Sequence, residues 1–279
     1  MIAHMKIPKS FEILVHNGLV DEVVCQLMSG KEAEVYVVRS KGEIRCAKVY
    51  KDAGKRSFSK QAQYQEGRKV RNSRQARAME KNTRYGRKEQ EDAWQNAEVD
   101  ALHRLVTAGV SVPKTFGYIG GVLLMELVVD VNGDVAPRLN DLKLTGVQAR
   151  EYHRALIAQI VLMLCAGLVH GDLSEYNVLV GSAGLVIIDL PQAINSAGNN
   201  NAARMFERDV ANMTAYFGRF APEVLTTDYG REIWKLYTTG ELSPETILTG
   251  RFEESSISAD VHGVMRDVES ARREHERNG

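Results

Sequence analysis

His170-Gly171-Asp172-Leu173-Ser174-Glu175-Tyr176-Asn177 runs straight into apolar Val178-Leu179-Val180, and seventeen residues after its aspartate a second acid, Asp189, closes the run Leu185-Val186-Ile187-Ile188. An Asp followed five positions later by an Asn, then by strand-like sequence, is the spacing of a phosphotransferase catalytic loop. Asp172 can accept a hydroxyl proton or orient a nucleophile. The Asn177 carbonyl can bind a Mg²⁺ whose other ligands are phosphate oxygens, and Asp189 can hold the same ion. Each segment alone has a plainer reading, because Asx residues cap turns and an acid often ends a strand. Together, in the order loop, strand, strand, acid, they point to one pocket built from two carboxylates and an amide.

At 279 residues and 44% hydrophobic, the chain can bury roughly three quarters of its unfolded surface in one large domain or two lobes. The longest apolar run, Ile160 to Val169, is too short to span a bilayer, and the first residues lack a secretory apolar core. A cytoplasmic location with no membrane partner is the expectation. Cys25, Cys46 and Cys165 form no C-x-x-C pair, so neither a disulfide framework nor a zinc site is indicated, and all three are expected to be reduced core thiols. The formal net charge of +0 conceals a segregation. Residues 51–88 carry 13 Lys/Arg against Asp52, Glu66 and Glu80, a net +10 that leaves −10 elsewhere. Such a segment can meet nucleic-acid phosphate, ATP phosphate or an acidic protein face, or be a charged insertion with no partner.

Along the chain, Val23 to Leu27, Glu34 to Val38 and Glu43 to Tyr50 read as strands, the first two joined across Gly30. Ala93 to Ala108 has Val99, Leu102, Leu105 and Val106 at helical spacing, with Gly109 as its stop. Phe116 to Ile119 and Val122 to Val128 form a further pair across Gly120-Gly121. Beyond them the period changes. Thr145 to Ala166, Ala202 to Arg219, Tyr229 to Tyr237 and Ser258 to Glu276 read as helices, and Pro222 opens another. The expected fold class is α+β, a two-lobed protein-kinase-like fold. Residues 1–127 would form a small antiparallel lobe with one main helix and a flexible basic insertion over 51–92, and residues 128–279 a mainly helical lobe. A ligand would lie between them.

If the second lobe supplies metal and base, the first should supply a phosphate loop and a lysine. Lys48 stands on the third strand, where a point cation would pair with α- and β-phosphate oxygens, and Glu98 on the following helix can fix its rotamer. A strand lysine is more often solvated and a helix glutamate more often exposed, so order along the chain raises them rather than residue type. Ser29-Gly30-Lys31-Glu32-Ala33-Glu34 is neither G-x-G-x-x-G nor a Walker A sequence, and by itself is a turn with one glycine.

Taken with Val35-Tyr36, this loop, the stretch His170 to Asn177, and Ile188-Asp189-Leu190-Pro191-Gln192 resemble the RIO family of atypical protein kinases. The resemblance runs from about Leu14 to about Phe217 and takes in Met125-Glu126-Leu127 and Arg208-Asp209 with Asn212. It implies an ATP-dependent serine/threonine kinase or ATPase using Mg²⁺ or Mn²⁺. By that resemblance Ser29, Gly30, Lys31 and Glu32 lie in the phosphate loop. Val35, Ala47, Met125, Leu179 and Ile188 surround the nucleotide, Glu126 and Leu127 offer hinge backbone to adenine, and Lys48 and Glu98 form the ion pair. Asp172 is the catalytic acid, Asn177 and Asp189 bind metal, and Asp189 is also implicated as a transient phosphoacceptor. The basic stretch falls where such proteins carry autophosphorylation sites, with Ser57 and Ser59 preferred over Ser73. With about twenty-eight residues before the phosphate loop, the winged-helix domain of one branch of the family is not expected.

Two rivals stay open. Aminoglycoside and choline kinases share H-G-D-x-x-x-x-N followed by I-D, which would make the substrate a small alcohol; Ser29 to Tyr36 argues against that. An ATP-switched assembly factor, binding a ribosomal particle or RNA through 51–88, would use the same cleft to control release.

Overall fold

The computed structural model describes residues 10–51 and 97–253. Most of the basic stretch, the serines Ser57, Ser59 and Ser73, the start of the helix expected from Ala93, and the helix expected over Ser258 to Glu276 lie outside the described residues.

Five strands, β1 (Glu22–Ser29), β2 (Ala33–Ser40), β3 (Glu43–Tyr50), β4 (Thr115–Ile119) and β5 (Val122–Glu126), form an antiparallel sheet ordered β1-β2-β3-β5-β4. Successive side chains alternate between its faces. Tyr36, Val38, Ala47, Val49, Val122 and Leu124 therefore share the outer face, where Phe11 and Leu14 of helix α1 (Ser10–His16) seal a small core. That helix is one the sequence reading did not include. The opposite face receives Cys46, Lys48 and Tyr50 from β3 and Leu123 and Met125 from β5. Helix α2, described over 97–107, covers it with Ala101, Leu102 and Leu105. Gly109 (φ 80°) ends α2 in the left-handed conformation that a side chain would resist.

One main core continues from these residues into the second lobe. Helix α3 (Gly146–Cys165) buries Ala149, His153, Leu156, Ile160 and Leu164, a 3.6-residue stripe. It packs against α4 (Ala202–Gly218) and α5 (Tyr229–Thr239). Pro222 stands at the first position of a 3-10 turn, Pro222–Thr226. A short pair, β6 (Leu168–Val169) with β9 (Ile194–Asn195), flanks the catalytic-loop sequence, which leads into hairpin β7 (Val178–Gly181) with β8 (Gly184–Ile187). The architecture is α+β and two-lobed.

Two expectations are corrected. Of the three cysteines only Cys46 is buried; Cys25 and Cys165 are exposed. β1 is the edge strand, so Cys25 has no neighbouring strand on one side, and Cys165 is the last residue of α3, beyond its buried stripe. Val106 is likewise exposed, because α2 turns that side to solvent.

Candidate active site

The period of two along β3 brings the lysine inward. Lys48 Nζ donates to Glu98 Oε1 and to Asp189 Oδ1, each at 2.8 Å. Burial would strip the ammonium of its proton, but the Asp189 and Glu98 carboxylates outweigh it and hold Lys48 well above the usual lysine range. Partial enclosure of Asp189 opposes its ionisation; the Lys48 ammonium overrides that and holds the carboxyl below the usual aspartate range. Asp189 also has φ 66°. A left-handed non-glycine backbone costs on the order of 1–3 kcal/mol and persists where surrounding contacts impose it.

Opposite this group stands the loop between β6 and β7. Its aspartate and asparagine are locked together, Asn177 Nδ2 donating to the Asp172 carbonyl at 2.9 Å. With its nitrogen engaged there, the amide keeps its oxygen as an acceptor that a cation could take. Gln192 Nε2 reaches Asp172 Oδ2 at 3.4 Å. His170 Nε2 donates to the Ile188 carbonyl at 3.1 Å, while its Nδ1 accepts from the Asp172 amide at 3.3 Å. The imidazole thereby ties the loop to the segment bearing Asp189. From below, buried Asp209 of α4 accepts from the Gly171 amide at 2.7 Å and the Leu173 amide at 3.1 Å. Asn212 adds a bond to the Leu173 carbonyl at 3.2 Å, and Arg208 bonds the Gly171 carbonyl. One helical turn thus fixes the backbone on both sides of Asp172.

The turn after β1 is held from the end of β3. Lys51 Nζ donates to the Gly30 carbonyl at 2.7 Å and lies 3.5 Å from Glu34, whose other oxygen accepts from Tyr36 at 2.7 Å. The Tyr36 hydroxyl, then Lys51, keep Glu34 below the usual glutamate range.

Between the lobes lies a cleft of about 740 Å³. Gly30, Lys31, Glu32, Val35, Lys48, Glu98, Met125, Glu126, Leu127, Asp172, Asn177, Leu179, Ile188 and Asp189 all line it. Ser29 does not; its hydroxyl is turned to Glu34 at 3.3 Å. Ala47 does not either. It is fully buried on the outer sheet face, and Cys46, two positions before Lys48 and so on the same face as the lysine, takes the place expected of it. Strand alternation alone could have found Cys46. Val128, Pro137 and Arg138 also line the cleft; the strand expected to run to Val128 ends at Glu126, and these residues sit in an irregular passage positioned by long-range bonds such as Val180 N to the Pro137 carbonyl at 2.9 Å.

The described residues hold no cluster of three or more His, Cys, Asp or Glu suited to a metal ion. One carboxylate and one amide, Asp189 and Asn177, fit instead a Mg²⁺ that takes most of its ligands from phosphate and water.

A strand lysine paired with a helix glutamate, facing an Asp/Asn loop across an interlobe cleft, defines a protein-kinase-like molecule. The RIO domain family model matches residues 34–229, and the chain belongs to the RIO family of serine/threonine-protein kinases. It is 34% identical over 212 residues to the RIO-type serine/threonine-protein kinase Rio1 of Haloferax volcanii, covering 74% of this chain and 67% of that one. To serine/threonine-protein kinase RIO1 of Chaetomium thermophilum and of Homo sapiens it is 28% identical, covering 94% and 84% of this chain but 51% and 39% of those proteins. The chain therefore spans between about two fifths and two thirds of these relatives' lengths. Its fold matches the Rio2 kinase of Chaetomium thermophilum, solved as an ADP/Mg²⁺–phosphoaspartate complex, with a TM-score of 0.56 at 19% identity, over 97% of this chain and 76% of that one.

Proposed function

We propose that this protein transfers the γ-phosphoryl group of ATP, with Mg²⁺, to a serine or threonine hydroxyl or to water. The observation that carries the reading is Lys48 held between Glu98 and Asp189, facing Asp172 and Asn177 across one cleft. Lys48 pairs with α- and β-phosphate oxygens, the turn at Gly30 to Glu32 covers the phosphates, and the 126–127 backbone receives adenine. Asp172 aligns the incoming hydroxyl or water and takes its proton. Mg²⁺, or Mn²⁺ in its place, neutralises phosphate charge when bound, with Asn177 and Asp189 as its protein ligands.

The phosphoaspartate of the Rio2 relative favours a second use of the same residues, an ATPase cycle through Asp189. A carboxylate oxygen of Asp189 would bond the γ-phosphorus as the bond to the β-bridging oxygen breaks and ADP leaves; water then cleaves the acyl phosphate, releasing phosphate and regenerating the carboxylate. In that mode the protein would serve as an ATP-switched factor, with a ribosomal particle or RNA meeting the basic residues of 51–88. In the kinase mode Ser57 or Ser59 of its own chain would be a first substrate, their basic neighbours offsetting the added charge. A cytoplasmic setting suits either mode. No helix among the described residues is long and apolar enough to cross a membrane.

The test is incubation with γ-labelled ATP and Mg²⁺ of the wild type, Asp172→Ala and Asp189→Ala, following phosphate release, acid-stable label and acid-labile label together. Asp172→Ala should lower turnover by about 10² to 10⁴ while sparing ATP binding. Acid-stable label on serine in the wild type identifies kinase activity. Phosphate release with an acid-labile label that vanishes in Asp189→Ala identifies the ATPase cycle. Turnover unchanged by Asp172→Ala would overturn the assignment, and phosphorylation of small alcohols without protein label would restore the small-molecule reading.

A further inference from the structure

Lys48 has two carboxylate partners at the same distance, 2.8 Å, and if it is to reach a phosphate it must keep one and release the other. Charge does not distinguish them. Their surroundings do: Glu98 is 3% exposed, whereas the Asp189 side chain is 47% exposed and opens to the cleft. What holds Glu98 is Tyr50. It lies two residues beyond Lys48 on β3, on the same sheet face, and its hydroxyl donates to Glu98 Oε2 while Lys48 takes Oε1. Both oxygens of the buried carboxylate are thereby engaged. The Tyr50 ring stands 5.3 Å from Lys48 Nζ and packs edge-on against Tyr118 of β4, with centroids 6.2 Å apart. Its amide donates to the Gly121 carbonyl at 3.0 Å, so the tyrosine is anchored from the β4–β5 hairpin.

We propose that Tyr50 is a positioning residue that makes Glu98 the permanent partner of Lys48 and leaves Asp189 as the partner it exchanges for nucleotide phosphate. The inference rests on the phosphotransfer reading above. Burial, ahead of the charges around it, keeps the Tyr50 phenol well above the usual tyrosine range, so it stays a donor across the working pH range. Without that hydroxyl, Glu98 Oε2 would be buried and unpaired, and the carboxylate could rotate to bring both oxygens onto Lys48. The lysine would then be held back from the phosphates.

Tyr50→Phe keeps the ring and removes only the hydroxyl. Its KM for MgATP should rise on the order of tenfold, the factor expected for a hydrogen bond to a charged group. A purely structural defect would lower the active fraction, reducing kcat and leaving KM unchanged. Glu98→Gln and the double variant complete the cycle, with urea unfolding of all four proteins recorded alongside. In the Glu98→Gln background, Tyr50→Phe should change KM by less than about twofold, because the group through which it acts is already altered. Multiplicative KM effects of the two substitutions, or an unchanged KM in Tyr50→Phe, would overturn the assignment while leaving phosphotransfer standing. A wild type that neither binds nor turns over MgATP would overturn the phosphotransfer reading and this assignment with it.

Discussion

His153 of α3 and Asp209 of α4 are buried ionisable side chains, and they pull the stability of the fold in opposite directions with pH. His153 of α3 meets Thr214 at 3.2 Å and lies between the rings of Phe217 and Tyr229; burial lowers it from the ordinary 6.5 to about 4. Below pH 6.5 the unfolded chain takes a proton that the native imidazole refuses, so stability is lost as pH falls from 6.5 toward about 4. Asp209 is raised by burial from 3.8 to about 6, against the pull of the charges and amides around it. Here the native state holds a proton that the unfolded chain releases, so its contribution is lost as pH rises from 3.8 to about 6. Each shift is worth on the order of 3 kcal/mol, and over the shared window the two slopes oppose. Replacing His153 with Gln should therefore abolish the stability lost on acidification and uncover the Asp209 slope, with stability falling as pH rises from 3.8 to about 6. Urea titrations between pH 4 and 7 measure this; a pH dependence unchanged from the wild type would refute the role given to His153.

Among the elements, α3 shows how local chemistry sets a boundary. Thr145 accepts from the Gln148 amide at 3.2 Å and Gln148 returns the bond to the Thr145 amide at 3.0 Å, a reciprocal cap that satisfies two donors the helix start would otherwise leave open. Thr145→Ala should cost about 1 kcal/mol, read as a lower urea midpoint at unchanged m value. The helix runs Gly146–Cys165 between caps at Thr145 and Ala166, so the expected span of 145–166 is the observed helix with its caps. β3 also has its expected bounds, Glu43–Tyr50, because two turns flank a clear alternation. β1 extends beyond Val23 to Leu27, since its outer residues pair with β2 through irregular register rather than through any apolar pattern of their own. The β6–β9 pair escaped the sequence reading for a related reason: two residues on each side carry no periodic signal, and only tertiary contact aligns them.

At the level of the whole molecule, the cleft couples the two lobes. Lys48 and Glu98 come from one and Asp189 from the other, so a ligand bridging them stabilises their arrangement as a unit. MgATP at a hundredfold excess over its Kd should raise the unfolding free energy by about 2.7 kcal/mol. EDTA, or Asp189→Ala at the same nucleotide concentration, should remove most of the gain; a thermal shift indifferent to both would argue against a metal-bridged nucleotide.

Which residues meet in the candidate site was largely legible in the chain because short-range spacing carries it. Asp172 and Asn177 share one turn, Asp189 ends the next hairpin, and the pattern around Lys48 marks a strand with its neighbours. Those features depend on residue type and on periods of two and 3.6, which sequence states directly. It did not by itself exclude Ala47, expected where Cys46 stands until the period of two is counted back from Lys48. Nor could it tell that Lys48 has Asp189 as well as Glu98 within reach, that Tyr50 holds the glutamate, or that Asp209 and Asn212 brace the loop from an α4 turn far along the chain. These are contacts between residues as many as 141 positions apart, fixed by the joint packing of sheet and helices around one core, and only the tertiary structure decides them.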